Sequence, residues 1–283
     1  MDNRILRGRT AHLVMIGIMS FSLVLSGCDS GSATTGSTNG TSLPNGPAAN
    51  VARNYSTDAL VFAGGGTWSS EVSSIESILT SNGASYQEVS SAQLDAMAAP
   101  DLAKFGLMIF PGGAGGTEAA SVSATTHANL RQAVQQEGVS YLGFCAGSFV
   151  AVAPAPVAGG DVSYGFGVVN GPELGYYQLE NQGTDIAMTL ESFPDGSSED
   201  ILWYGGPVTP NVSGGVLAKY PTGDPAISQM WSGNGFVVLS GVHPTATQAM
   251  LSSVGMTSTD GIHTDLAWKL MNAALHQQPL PAF

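Results

Sequence analysis

The strongest constraint on what this chain can fold into lies at residues 139–151. There an apolar run rich in β-formers enters Gly143-Phe144-Cys145-Ala146-Gly147, and a small-residue segment able to start a helix leaves it. Glycines on both sides of a cysteine, between a strand and a helix, read as the thiol form of a nucleophile elbow. In such a turn Gly143 and Gly147 leave room around a strained backbone, and Cys145 projects from the end of a sheet over a helix N-terminus. The thiolate is the nucleophilic form of cysteine, and the positive end of a helix can bring its pKa from about 8.5 into a range of roughly 3.5 to 7.5. The plainer alternative makes Cys145 a small buried hydrophobe, as free cysteines often are.

The elbow is preceded by two similar units. Residues 58–63 are a short apolar run ending in Gly64-Gly65-Gly66, and residues 105–110 are another ending in Pro111-Gly112-Gly113. Apolar spacing predicts a helix from about Ser70 that stops at Asn82-Gly83, with Val72, Ile75, Ile78 and Leu79 on one face, and a second helix from about Ser123 to Gly138. Residues 85–89 read as a further strand. Strands alternating with helices imply parallel βαβ units, in which ligands bind beyond the carboxyl ends of the strands. The expected fold is therefore α/β and flavodoxin-like, a mostly parallel sheet with helices on both faces. Gly64, Gly65, Gly112 and Gly113 would then meet Cys145 on one sheet edge, where backbone N–H groups can stabilise an oxyanion. No Gly-Lys-Ser/Thr follows these turns and no G-x-G-x-x-G opens a helix, which argues against a nucleotide. No cofactor or metal is expected.

The second half carries short strand signals at 185–190, 201–204, 215–220, 226–231 and 235–239, separated by Gly, Pro, Asn and Asp, and these predict an antiparallel extension. A closing helix is expected from about Thr264 to His276. Of five histidines, His12 lies near the N-terminus, His127 and His276 fall on expected helices among polar residues, and His263 precedes the last helix. His243 alone ends an apolar strand, at Ser240-Gly241-Val242-His243-Pro244, where a general base could meet Cys145. Trp203 and Tyr204, before Gly205-Gly206, could wall a pocket.

Four motifs occur in order: Phe110-Pro111-Gly112-Gly113, Tyr141 to Gly147, Trp203-Tyr204-Gly205-Gly206-Pro207, and Ser240 to Pro244. Together they resemble the domain at the N-terminus of eukaryotic biotin-protein ligases, which also occurs alone in bacterial proteins and is similar to the class I glutamine amidotransferase-like superfamily. The resemblance implies Cys145 as nucleophile, His243 as its base, and an oxyanion hole from Gly113 and the backbone of Ala146, with Gly112 and Gly206 beside the substrate. That superfamily usually continues its His-Pro with Glu, the acid that orients the imidazole. This chain has Thr245 there, and Glu118 and Asp265 are the other acids considered. Nothing downstream resembles a biotin-ligase catalytic domain.

The N-terminus reads as an export signal. Arg4, Arg7 and Arg9 precede an apolar stretch at 13–25, and Leu25-Ser26-Gly27-Cys28 resembles a bacterial lipobox. The expected organisation is a lipoprotein signal over 1–27, lipidation at Cys28, a flexible Ser/Thr/Gly/Asn/Pro tether over 28–55, and one amidotransferase-like domain over 56–283. With two cysteines in the chain and Cys28 committed to lipid, Cys145 is left as a lone thiol in an oxidising compartment. The formal net charge of −13 becomes −15 once residues 1–27 are removed, which takes away Arg4, Arg7, Arg9 and Asp2. Such a body is unsuited to nucleic acid and to anionic lipid, so lipid rather than charge would hold it at the membrane of a bacterial cell envelope. Asn211-Val212-Ser213 matches a glycosylation sequon, an accidental match in this setting.

The leading expectation is a lipid-anchored Cys-His hydrolase acting on a small amide or acyl substrate through a thioester. The alternatives are a non-catalytic ligand-binding module, favoured by Thr245, and a redox-responsive thiol protein of the same fold.

Overall fold

The computed structural model describes Leu43, Gly46, Pro47, residues 53–154 and residues 164–283. The export signal and Cys28 lie outside the described residues. Eleven strands and eight helices run in chain order as β1 (Thr57–Phe62), α1 (Ser69–Ser81), β2 (Tyr86–Val89), α2 (Ser91–Asp95), α3 (Ala99–Leu102), β3 (Phe105–Phe110), α4 (Gly115–Ala120), α5 (Ala124–Gln135), β4 (Ser140–Phe144), α6 (Ala146–Ala151), β5 (Val152–Ala153), β6 (Val169–Asn170), β7 (Ile186–Ser192), β8 (Ser198–Tyr204), β9 (Val216–Lys219), β10 (Pro225–Ser232), β11 (Gly235–Ser240), α7 (Gln248–Ser253) and α8 (Thr264–His276).

One nine-stranded sheet has the order β2-β1-β3-β4-β11-β10-β9-β7-β8. Its first five strands are mutually parallel and reproduce the doubly wound order 2-1-3-4-5, with β11 as the fifth strand. From β11 outward every pairing is antiparallel, which is the expected extension. The inner strands β3, β4 and β11 are buried at every position, as continuous apolar runs covered on both faces should be. On one face, α1 and α8 bury Val72, Ile75, Ile78, Leu79, Leu266 and Leu270 against Val61, Ile109, Leu142 and Val238. On the other, α5 packs Leu130, Ala133 and Val134 with Met108, Tyr141 and Val237. Each such aliphatic side chain stabilises the fold by about 1.5–3 kcal/mol relative to exposure.

The long helices begin and end where the sequence signals put them. Ser123 caps α5 by accepting from the Thr126 N–H at 3.2 Å, and positive φ at Gly83 and Gly138 closes the turns after α1 and α5. The short helices α2, α3, α4 and α7 fall outside the sequence expectation, because four to six residues carry too little apolar periodicity to register. Their caps were the readable signal: Ser90 and Gln93 form a reciprocal capping box at α2, and Thr247 caps α7. Leu43 belongs to the core, and Arg53 donates to the carbonyls of Leu275, at 2.7 Å, and Gly106. Both residues fall in the stretch expected as a tether, so tertiary contacts begin ahead of Thr57.

Candidate active site

Four of the five parallel strands deliver a residue to one point at their carboxyl edge: β1 leads to Glu71, β3 to Gly112 and Gly113, β4 to Cys145, and β11 to His243. At the elbow Cys145 has φ 47° and ψ −103°. Only Cys145 and Gln277 among the described non-glycine residues have positive φ. A strained backbone of this kind costs about 1–3 kcal/mol and persists only where the surroundings over-determine it. Here the Cys145 N–H donates to the Ser240 carbonyl at 2.8 Å, and the Cys145 carbonyl accepts from Ser148 and Phe149 at 3.0 and 3.1 Å. Ser148 ties the elbow to β11 by donating from Oγ towards the Gly143 and Ser240 carbonyls, both at 2.8 Å, and accepting from the Ser240 N–H. The glycines are required by space. A Cβ at Gly143 would lie 2.5 Å from the Gly147 carbonyl carbon, and one at Gly147 would lie 2.1 Å from the Phe110 oxygen.

His243 is 1% exposed and backed by Trp68, whose ring stacks on the imidazole at 5.2 Å with an interplanar angle of 21°. Its Nδ1 lies 3.0 Å from Glu71 Oε1, and both side chains are fully buried. Glu71 Oε1 also accepts from Thr245 Oγ1, and its Oε2 accepts from the Gly112 N–H at 2.7 Å. The acid missing at position 245 is thus supplied by Glu71, from the first turn of α1. Thr245 has become the hydroxyl that holds this acid, and neither Glu118 nor Asp265 takes the role.

Burial alone would push the His243 imidazolium down. The Glu71 carboxylate and then the Cys145 sulfur reverse this and lift its pKa to about 10. For Glu71, burial pushes up, but the His243 charge and hydrogen bonds from His243, Thr245 and Gly112 hold it below its ordinary 4.5. Among the described residues His243 Nε2 is buried without a hydrogen-bond partner, while Cys145 Sγ donates to the Tyr204 carbonyl at 3.3 Å. The His243 imidazolium is the cation of this site.

The other expected residues divide. Among the described residues the Gly113 and Ala146 N–H groups make no hydrogen bond, and both residues line the cavity above Cys145. Gly112 is a correction: its N–H is committed to Glu71, and its role is clearance, since a Cβ would lie 2.5 Å from both Glu71 Oε2 and His243 Cε1. Gly64 and Gly65 do not reach the cavity. Their loop is tied to α2 by the Gly65 N–H donating to Ser91 Oγ at 3.0 Å, and to the 112–114 loop by the Ala114 N–H donating to the Gly66 carbonyl at 2.8 Å. Trp203 is wholly buried in the core, donating to the Gly206 carbonyl at 3.0 Å, and walls nothing. Gly206 packs where a Cβ would lie 1.8 Å from the Gly241 oxygen, and its neighbour Gly205 lines the cavity instead. Tyr204 does line it. His127, expected among polar residues, is buried, with Nε2 3.1 Å from the Ala119 carbonyl.

The cavity has a volume of about 700 Å³ and is walled by Trp68, Phe149, Tyr164, Tyr176 and Tyr204, with Glu180 and Asp185 as its acids. That size suits a small molecule. Sequence reasoning missed Glu71, Trp68 and most of these walls. Glu71 could have been found as an acid in the first turn of a helix that follows a strand and a glycine turn on the Cys145 edge.

Residues 57–187 match the family model described as "Biotin-protein ligase, N terminal". That stretch contains Glu71, Gly113 and Cys145 and ends before His243. No protein of curated function matches the chain. Among solved structures, the chain is similar to the exo-beta-1,4-mannosidase Op5Man5 from Opitutaceae bacterium strain TAV5, with 12% identity, a TM-score of 0.41, and coverage of 77% of this chain and 36% of that one. This chain therefore spans about a third of the length of that enzyme. It is also similar to Schizosaccharomyces pombe DJ-1, with 14% identity, a TM-score of 0.31, and coverage of 79% and 100%. A putative thua-like protein from Bacteroides uniformis ATCC 8492 aligns with 11% identity, a TM-score of 0.36, and coverage of 77% and 99%.

Proposed function

We propose that this protein is a cysteine-dependent hydrolase of a small amide or acyl compound, working through a thioester on Cys145. The observation that carries the reading is an imidazole, His243, bound at Nδ1 by the buried Glu71 carboxylate and set just beyond the strand end that pairs with β4, whose own end carries Cys145 on a positive-φ elbow. This is the constellation of nucleophile, base and orienting acid, assembled from three strand ends.

The Cys145 thiolate attacks the substrate carbonyl, and the developing oxyanion meets the N–H groups of Gly113 and Ala146. A preorganised donor of this kind is worth about 2.7–4 kcal/mol of barrier. Collapse breaks the carbonyl bond to the leaving group, which takes its proton from the His243 imidazolium. Neutral imidazole then accepts a proton from water as it attacks the thioester, releasing the acid and restoring the thiol pair. Glu71 holds Nδ1–H throughout, so that Nε2 faces the reaction.

The export signal and lipobox support an anchor at Cys28 and a site in the bacterial cell envelope, outside the cytoplasm. Labelled palmitate incorporated by the wild type and lost in Cys28→Ser tests the anchor.

The activity is tested with an activated ester such as p-nitrophenyl acetate. Expected are a burst of nitrophenolate of one equivalent, an acetyl mass on the Cys145 peptide, and loss of both in Cys145→Ser and His243→Gln. A thiol that alkylates quickly but never acylates would move the reading to a redox-responsive protein. A thiol inert to both would leave a binding module.

A further inference from the structure

The cavity over Cys145 has walls of one kind. Tyr164, Tyr176 and Tyr204 are 39%, 56% and 36% exposed, and they are three of the six large hydrophobic side chains exposed among the described residues. All three face this single cavity. Exposed rings are normal when scattered, but gathered in one concave site they mark a contact surface. Trp68 against Tyr204 at 4.8 Å and Phe149 against Tyr176 at 4.9 Å brace the rings in place.

The charges in the cavity are also of one sign. Glu180 and Asp185 line it, and no Lys, Arg or His does so among the described residues. Among the described residues Glu180 Oε2 is buried without a partner, beside Gly205, where a Cβ would come to 3.7 Å. An aromatic face attracts a cation through its quadrupole, and a carboxylate at the rim adds to that attraction. A ligand with a free carboxylate or phosphate would meet these two like charges, while the site's cation, His243, is 1% exposed and does not line the cavity.

Resting on the reading of Cys145 as a nucleophile, we propose that the cavity selects amides or esters bearing an ammonium or guanidinium group. The cation sits between the tyrosine rings and the carboxylates of Glu180 and Asp185, and the carbonyl lies over Cys145. The same arrangement excludes acyl groups with an anionic tail.

Three methanethiosulfonates test this on the full-length protein: cationic trimethylammonium-ethyl and anionic sulfonato-ethyl, which are similar in size, and the smaller neutral methyl. Each is attacked at its sulfenyl sulfur by the thiolate, forming a disulfide and releasing sulfinate, and labelling is read at the Cys145 peptide by mass spectrometry. The readout is the cation-to-anion rate ratio divided by the same ratio for 2-mercaptoethanol, so a change in thiol activation cancels. At low salt a normalised ratio of about tenfold or more is expected, as for a cleft that focuses one sign of charge. It should fall towards one in Glu180→Gln/Asp185→Asn, and part of the way in Asp185→Asn alone, which touches an exposed side chain. A normalised ratio near one in the wild type, or an unchanged ratio in both folded variants, overturns the proposal. The neutral reagent reports separately on the nucleophile: labelling no faster than for 2-mercaptoethanol would refute the activated thiol while leaving the charge selectivity readable.

Discussion

Replacing Glu71 by Gln keeps the side chain's shape and removes its charge. In the native site the carboxylate accepts from the Gly112 N–H, His243 Nδ1 and Thr245 Oγ1. An amide offers one oxygen, so it can keep the Gly112 N–H bond only by turning its NH₂ towards His243 Nδ1 and Thr245 Oγ1, where a protonated imidazole cannot accept. Breaking a buried pair from one side costs about 3–5 kcal/mol. The effect depends on pH with a defined sign. His243 is lifted from 6.5 to about 10, so its contribution to stability is complete below pH 6.5 and is lost as pH rises through about 10. Glu71 lies below its ordinary 4.5, so its contribution is present above that pH and is lost as pH falls. The stability gap between wild type and Glu71→Gln should therefore be widest between about pH 4.5 and 6.5 and narrow towards pH 10. Without the carboxylate, the burial that lowers the imidazole's affinity for its proton is no longer offset by Glu71, so the charged form of His243 recedes and iodoacetamide alkylation of Cys145 at pH 7 should slow. Urea unfolding at pH 5.5, 7 and 9, with alkylation at pH 7, measures both. A gap below about 0.5 kcal/mol at every pH, of the size expected for an ordinary surface substitution, with unchanged alkylation, would refute the assignment of Glu71 as the orienting acid.

Two further outcomes follow from strain and burial. Cys145→Gly should be more stable than Cys145→Ala by about 1 kcal/mol, because positive φ penalises a Cβ by more than glycine's extra entropy costs; equal or reversed urea midpoints would mean that the elbow is not strained. Glu118, on α4, is fully buried with both carboxylate oxygens unpartnered among the described residues, and burial, with the Glu71 charge second, pushes its pKa well above 4.5. It therefore draws stability down as pH rises above 4.5, and Glu118→Gln should flatten the melting temperature against pH and gain on the wild type at alkaline pH; an unchanged profile would exclude a retained proton.

Local patterns made much of this protein legible in its sequence. Apolar runs and glycine stops placed the strands from β1 to β4 and the helices α1, α5 and α8, because burial on both sheet faces demands continuous apolar strands and helices show their one buried stripe. The elbow was readable for a similar reason, since Gly143 and Gly147 answer a clash within a few residues of Cys145. Pairing Cys145 with His243 followed from the strand-end rule for parallel sheets. Trp203 and Tyr204, adjacent and chemically alike, could not be told apart: alternation along β8 buries one in the core and turns the other to the cavity.

What the sequence determined by itself was the sheet, its carboxyl edge, and the elbow cysteine on that edge. Tertiary structure alone decided the acid, because Glu71 and His243 are separated by 172 positions and meet only through strand order. It decided the commitment of the Gly112 N–H for the same reason, and it gathered Tyr164, Tyr176, Glu180 and Asp185, spread over the stretch between β4 and β7, into one wall. Contacts within a turn leave their cause beside them in the chain, whereas contacts made by packing leave it on another strand.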